Sequence, residues 1–259
     1  MVLEHPILLT GGASGVGEAT AKLLLERGHQ VTSLDFKPSS NDGVTHHHCD
    51  LSDTASIDAA VAELPGAFSS LLNVAGVPGT VGGDLTFAVN FLGLRYLTEK
   101  IWDRIVDNGT VVSVSSIAGN NWRKRRGELA EALATETFAE GQTWWRANAD
   151  TVGTDAYTFS KEAVVLYTMV LAGRGLARGI RVNDVGPGPI DTPILPDFTT
   201  EVGADTMKTM IDMVGRSAQP HDIAEAVVQL AEGHIGWLNG QHIIVDGGMM
   251  AGFSSGWNK

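Results

Sequence analysis

The chain has one cysteine, Cys49, in 259 residues. An internal disulfide is therefore impossible, and a reducing compartment suits it. Long apolar runs are also missing: none reaches the roughly 20 residues that a membrane-spanning helix needs. The amino terminus lacks the basic-then-apolar pattern of a secretion signal, because Glu4-His5-Pro6 interrupts it. Basic residues are scarce: 18 Lys and Arg face 30 Asp and Glu, for a net charge of −12. An acidic body repels phosphate backbones, so no nucleic-acid partner is expected. No repeat, low-complexity tract or linker marks a second domain. The expectation is one domain, residues 1–259, in the cytoplasm, with no membrane contact.

What is present is a chain with 43% hydrophobic and 19% charged residues, which suits a folded core and not a disordered one. Short apolar runs alternate with helical patterns. Strands are expected at Ile7 to Leu9, Gln30 to Asp35, Val44 to His48, Ser69 to Val74, Gly109 to Val114, Ile180 to Val185 and Gln241 to Val245. Helices are expected at Gly15 to Arg27, Asp53 to Leu64, Phe87 to Val106, Asp155 to Arg178 and Pro220 to Glu232. That alternation predicts an α/β fold: a single doubly wound, Rossmann-type domain. Its seven-stranded sheet is mostly parallel, with helices on both faces.

The first strand ends in Thr10-Gly-Gly-Ala-Ser-Gly-Val-Gly17 and a helix follows. Gly11, Gly15 and Gly17 let the backbone turn sharply and come close to a pyrophosphate, whose charge the free N–H groups and helix dipole stabilise. Asp35 ends the second strand. A carboxylate there can accept hydrogen bonds from the adenosine ribose and would repel a 2′-phosphate, so NAD is favoured over NADP. His46-His47-His48 could suggest a metal. Adjacent strand residues point to opposite faces, so the three cannot converge on one ion, and no metal is expected. Cys49 reads as a structural residue.

Further motifs follow in a fixed order: Asp50-Leu51, Asn73-Val-Ala-Gly76, Asn90, Ser115-Ser116, Tyr157-x-x-x-Lys161, Pro187-Gly188 and Val245-Asp-Gly-Gly248. With the glycine turn they resemble the short-chain dehydrogenase/reductase family over nearly the whole chain. A long interruption between Ser116 and Tyr157 is similar to that of the bacterial 3α-hydroxysteroid dehydrogenase/carbonyl reductase subgroup. The resemblance implies that Gly11, Ser14, Gly15, Val16, Gly17, Asp35, Phe36, Asp50, Leu51, Asn73, Ala75, Gly76, Tyr157, Lys161, Pro187, Gly188, Ile190 and Thr192 hold the cofactor. Asp50 would bond the adenine, and Ile190 and Thr192 would lie near the carboxamide. Two departures stand out. Val74 replaces the family's second asparagine, and Gly186 stands before Pro187 where alanine is usual.

The chemistry follows from the same residues. A free tyrosine ionises near pH ~10, and a base working near neutrality needs that lowered by roughly 2–3 units. Lys161 lies four residues after Tyr157, on the same helix face. A unit charge about 4 Å away at an effective dielectric of about 20 supplies about 4 kcal/mol, before desolvation. Tyr157 is thus expected to exchange a proton with an alcohol or carbonyl, with Lys161 lowering its pKa. By the resemblance Lys161 also binds the nicotinamide ribose, Ser116 holds the substrate oxygen in preference to Ser115, and Asn90 holds a water leading from Lys161 to solvent. The rival is a catalytically silent cofactor sensor or scaffold. The intact Asn90, Ser116, Tyr157 and Lys161 disfavour it.

Two segments depart from a minimal fold. Residues 121–154 insert a basic start, a helical stretch from Glu128 to Glu140 and a second from Gln142 to Asn148. By subgroup likeness this excursion blocks one dimer interface and leaves a homodimer through Pro220 to Val245. Alternatively Trp122, Trp144 or Trp145 wall the substrate cleft. Residues 193–216 resemble a substrate lid rich in Ile, Leu, Phe and Met, which suits a bulky, apolar ligand. The expected substrate is a hydrophobic small-molecule alcohol or ketone: a cyclic secondary alcohol, steroid first, with monoterpenoid alcohols and aromatic dihydrodiols as alternatives.

Overall fold

The computed structural model describes residues 2–257. In chain order the first half forms β1 (Ile7–Thr10), α1 (Gly15–Glu26), β2 (Val31–Asp35), β3 (Val44–His48), α2 (Thr54–Glu63) and β4 (Phe68–Asn73). The second half contributes α3 (Gly83–Phe87), α4 (Leu94–Ile101), β5 (Ile105–Val114), α5 (Arg126–Ala134), α6 (Phe138–Asn148), α7 (Ala156–Gly175) and β6 (Arg181–Pro187). It ends with α8 (Leu195–Val202), α9 (Ala204–Val214), α10 (Pro220–Ala231), β7 (His242–Val245) and α11 (Met249–Ser255). The sheet order is β3-β2-β1-β4-β5-β6-β7. Every pairing is parallel. The doubly wound expectation therefore holds. The chain runs outward from β1 to β3, then returns to β4 on the other side of β1. That reversal opens a crevice at the carboxyl ends of the strands, where such sheets bind ligands.

Alternation along each strand sends side chains to two cores. One holds Leu8, Leu71, Val111 and Val182 against α2, α4 and α7. The other holds Ile7, Leu9, Leu72, Val112 and Val185 against α1 and α10. β3 lies at the edge and is half-buried, as its polar sequence predicts. Its histidines diverge: His47 Nδ1 meets Glu63 and His48 Nδ1 meets the Phe36 carbonyl.

Two expected elements differ. The helical pattern from Phe87 to Val106 begins earlier, at Gly83, and ends as a helix at Ile101. A wide π turn, Ala88–Gly93, interrupts it, with all six residues buried. β5 then starts at Ile105 instead of Gly109. Ile105 pairs with Phe68, and a register shift follows where Asn108 adopts φ 63°. A local pattern cannot foresee a strand that bulges after its first pairing.

The insertion also breaks where one helix was expected. Thr137 starts α6 with a capping box: its hydroxyl accepts from Glu140 N, and the Glu140 carboxylate accepts from Thr137 N. Buried Arg95, from α4, reaches the exposed end of α5. It donates to the carbonyls of Ala132, Leu133 and Thr137 and to Thr135 Oγ1 at 3.2–3.4 Å. A cation at a helix carboxyl terminus satisfies orphan carbonyls and complements the dipole. Trp144 and Trp145 both pack on Phe159 of α7, and Trp145 stacks on Phe87 at 5.0 Å. These tryptophans anchor the insertion to the body.

Candidate active site

The glycine turn closes because its glycines have no side chain to accommodate. A Cβ on Gly17 would stand 1.9 Å from the Gly11 carbonyl oxygen. Gly11 and Gly15 take φ 78° and 55°, where other residues are strained. Thr10 Oγ1 accepts from the N–H groups of Val74 and Ala75, tying the turn to the end of β4. The Asp35 carboxylate accepts from Ala13 N and Lys37 N. It therefore stands rigidly beside the turn.

A cavity of about 930 Å³ runs along this crevice. Gly11, Ser14, Gly15, Val16, Gly17, Asp35, Phe36, Leu51, Ala75 and Gly76 line one end. Ser116, Tyr157, Lys161, Pro187, Gly188, Ile190 and Thr192 line the other. The backbone cradle, the placed carboxylate and this lining fit a dinucleotide. Three predicted residues stand behind the wall. Asn73 is buried and donates from its amide to Thr98 Oγ1. Asp50 accepts from Ser52 N and Ser52 Oγ. Asn90 sits in the π turn; its Oδ1 accepts from Val77 N, and its Nδ2 donates to Val77 O and Ser160 Oγ. The Asn90 side chain is thus committed to protein partners. Any water near Lys161 would meet the Asn90 main chain instead, at a turn whose carbonyls are irregularly paired.

The serine–tyrosine–lysine constellation is assembled by three elements. Ser116 lies two residues past the end of β5, and its Oγ accepts from Ala118 N, capping the turn that follows. Asp155 caps α7, which opens with Tyr157; its carboxylate accepts from Thr158 N. One helical turn on, Lys161 lies over the Tyr157 ring, 5.7 Å from its centroid, and Nζ donates to the Val114 carbonyl at 3.0 Å. Burial pushes the Tyr157 hydroxyl well above its usual range. A hydrogen bond with Ser116 opposes that shift, and Glu201 and Asp155 reinforce it. Burial likewise pulls Lys161 down to about 8, against the field of Asp184. In the protein alone, burial is the largest influence on the Tyr157 hydroxyl. The oxidised nicotinamide carries a further positive charge that acts in the opposite sense.

Ser115, one residue earlier, turns to Asp184 and not to Tyr157. Residues 193–216 supply contacts that sequence reasoning missed. Phe198 of α8 packs on Tyr157 with ring centroids 4.8 Å apart. Thr80 donates to Asp197 at 2.8 Å, holding α8 over the cavity mouth. Phe198 is among the apolar residues noted in 193–216, but nothing local indicated which ring it would meet. Of the insertion, only Asn121 reaches the cavity lining, and none of Trp122, Trp144 and Trp145 does. The alternative of a tryptophan-walled cleft is not realised.

Comparison with known proteins agrees with this geometry. The short chain dehydrogenase family model matches residues 5–127, and the Enoyl-(Acyl carrier protein) reductase model matches residues 143–250. The chain is 35% identical to the coniferyl-alcohol dehydrogenase of Pseudomonas sp. (strain HR199 / DSM 7063), covering 94% of this chain and 95% of that one. It belongs to the short-chain dehydrogenases. Another relative of this short-chain dehydrogenase is the zerumbone synthase of Zingiber zerumbet, 29% identical over 96% of both chains. Among solved structures, the 3-alpha-hydroxysteroid dehydrogenase from Pseudomonas sp. B-0831, complexed with NADH, is 26% identical with a TM-score of 0.82 over the full length of both chains. The short-chain dehydrogenase described here is accordingly an NAD-dependent oxidoreductase. Among its described residues no helix is long and apolar enough to cross a membrane.

Proposed function

We propose that this enzyme interconverts a ring-bearing hydrophobic alcohol and its carbonyl compound, and that the alcohol is aryl or terpenoid in type. The observation that carries the proposal is the wall facing Tyr157. Phe198, Ile194, Leu195, Met207, Met210 and Met250 form it, and the Phe198 ring already packs against the tyrosine at a tilt of 58°. Flexible apolar side chains adapt to a bulky ligand, and an aromatic ring favours a planar one. A dinucleotide would take the glycine-turn end of the cavity and leave the apolar end for the substrate. A coniferyl-alcohol dehydrogenase and a zerumbone synthase among the relatives support this order of preference. A steroid or other cyclic secondary alcohol is the second reading. It is favoured by the end-to-end likeness to a 3-alpha-hydroxysteroid dehydrogenase.

In this proposal Ser116 holds the substrate oxygen and Tyr157 takes its proton. Lys161 keeps a positive charge beside the tyrosine and holds the cofactor ribose. Asn90 positions the loop at Val77, and Asp35 selects NAD by meeting the adenosine ribose. The bound NAD supplies the hydride acceptor. Residues 193–216 act as a substrate lid. The insertion at 121–154 governs assembly, leaving a homodimer through Pro220 to Val245 in a cytoplasmic enzyme. In support of that surface, β7 is an edge strand, and Ile235 and Trp237 beside it are exposed. The decisive experiment is NAD reduction with aryl allylic alcohols, monoterpenoid alcohols, aromatic dihydrodiols and hydroxysteroids. Turnover of the first three classes above steroids is expected. Turnover of steroids alone would overturn the preference.

A further inference from the structure

A carboxylate lies in the core behind the catalytic lysine. Asp184 is fully buried in β6. Ser115 donates to its Oδ1, and His242 Nδ1 lies 2.5 Å from the same oxygen. Its Oδ2 has no hydrogen-bond partner. The sheet register explains the meeting. Ser113, Asp184 and His242 are lateral neighbours on β5, β6 and β7, and their side chains point to the face covered by α7. Ser115, two positions on, shares that face. Lys161 descends from α7 to the Val114 carbonyl, the residue before Ser115. The missing methyl at Gly186 belongs to the same arrangement. A Cβ there would stand 2.5 Å from the His242 ring. The glycine that departs from the family pattern is what lets the histidine lie against Asp184.

We propose that Asp184 is the buried counter-charge of Lys161, and that Ser115 and His242 aim and hold its carboxylate. Asp184 is a positioning residue; it touches neither substrate nor cofactor. The inference rests on Lys161 acting as the charged partner of Tyr157. An ammonium taken from water and given one carbonyl partner loses its proton easily. The groups around it are few. Its own helix offers Tyr157, β5 offers serines and a carbonyl, the π turn offers Asn90, β6 offers Asp184, and β7 offers His242 behind it. Glu201 and Asp155 act on Tyr157. Asp184 is the charge that opposes the loss of the Lys161 proton.

The test reads Lys161 directly, in enzyme labelled with ¹³C at the lysine ε-carbons and free of substrate. The chain has seven lysines, and the Lys161 signal is the one lost in Lys161→Met. Wild-type Lys161 should titrate at about 8. Asp184→Asn should move the midpoint down by about one pH unit. The alkaline fall in kcat should move with it, while KM for the alcohol changes little. Ser115→Ala removes a hydrogen bond but no charge, and should move the midpoint less. Equal shifts from both would make packing the cause and overturn the proposal. If Asp184→Asn does not fold, the double variant Asp184→Asn/His242→Gln keeps a neutral bonded pair and should show the same downward shift. An unmoved midpoint in whichever variant folds also overturns it. Should the midpoint fall while Lys161→Met retains full turnover, the counter-charge stands and the catalytic reading of Lys161 falls.

Discussion

Lys161 is buried against its own interest, and that tension can be measured. The Lys161 pKa drops from 10.5 to about 8, which corresponds to roughly 3 kcal/mol of folding stability. The sign follows from proton counts. Between about 8 and 10.5 the unfolded chain holds more protons than the folded one, so this group's penalty is full below that window and fades as pH rises through it. Lys161→Met should therefore melt higher than wild type at pH 7, with the gap closing above pH 10, although it loses turnover. Calorimetry across that range checks it; an equal or lower melting temperature at pH 7 contradicts the burial argument. Tyr157→Phe removes the hydroxyl proposed to exchange the proton. Turnover should fall by about 10²–10⁴ at least, while NADH fluorescence titration shows nearly intact cofactor binding. Asp35→Ala removes the carboxylate proposed to repel a 2′-phosphate. The preference for NAD over NADP should narrow, as the ratio of kcat/KM values with the two cofactors would report. An unchanged ratio would mean that the carboxylate makes no ribose contact.

At the scale of elements, an ion pair joins the insertion to α7. Arg125 donates twice to Glu162, each bond 2.6 Å, and the Glu162 side chain is fully buried. Burial pushes the Glu162 carboxyl up, and Arg125 opposes that. Removing the arginine leaves a buried charge without a partner. Arg125→Met should cost about 3–5 kcal/mol in urea unfolding. The double variant Arg125→Met/Glu162→Met should regain most of it. Because Glu162 follows Lys161, the single variant should also disturb turnover more than a surface change would. A single variant as stable as wild type would show that the insertion is not anchored there. Local reasoning found the elements around this pair but not their joints. Thr137 and Glu140 carry a capping box that could have been read in advance. The Arg95 contacts with the end of α5 join residues about 40 positions apart, and no local pattern encodes them.

For the whole molecule, the sheet leaves β7 as an edge, half-buried in one protomer. An open edge with exposed Ile235 and fully exposed Trp237 beside it needs cover. We expect mass measurement in solution to give a dimer, and Trp237→Glu to shift it toward monomer. A stable tetramer would contradict the proposed role of the insertion. Much of this architecture was legible. Seven apolar runs separated by helical patterns dictate a parallel sheet, since right-handed crossovers leave few other ways to bury them. The glycine spacing and Asp35 placed the cofactor end, because tight turns demand particular residues. The tyrosine and lysine were legible because a helix puts residues four apart on one face.

What the sequence determined alone is what depends on neighbours along the chain: strand and helix type, the glycine turn, and the serine and the Tyr-Lys pair at either side of the insertion. Tertiary structure decided everything that depends on contact across the chain. It turned the tryptophans into anchors, brought Phe198 onto Tyr157, and turned the Asn90 amide to the Val77 backbone. It also set a buried carboxylate behind Lys161. Asp184 lies inside a strand that the sequence analysis recognised, but nothing in that reading singled the residue out. Only the register of three parallel strands shows that the partners are Ser115 and His242. Distance in sequence carries no information about electrostatic field; distance in the folded core does.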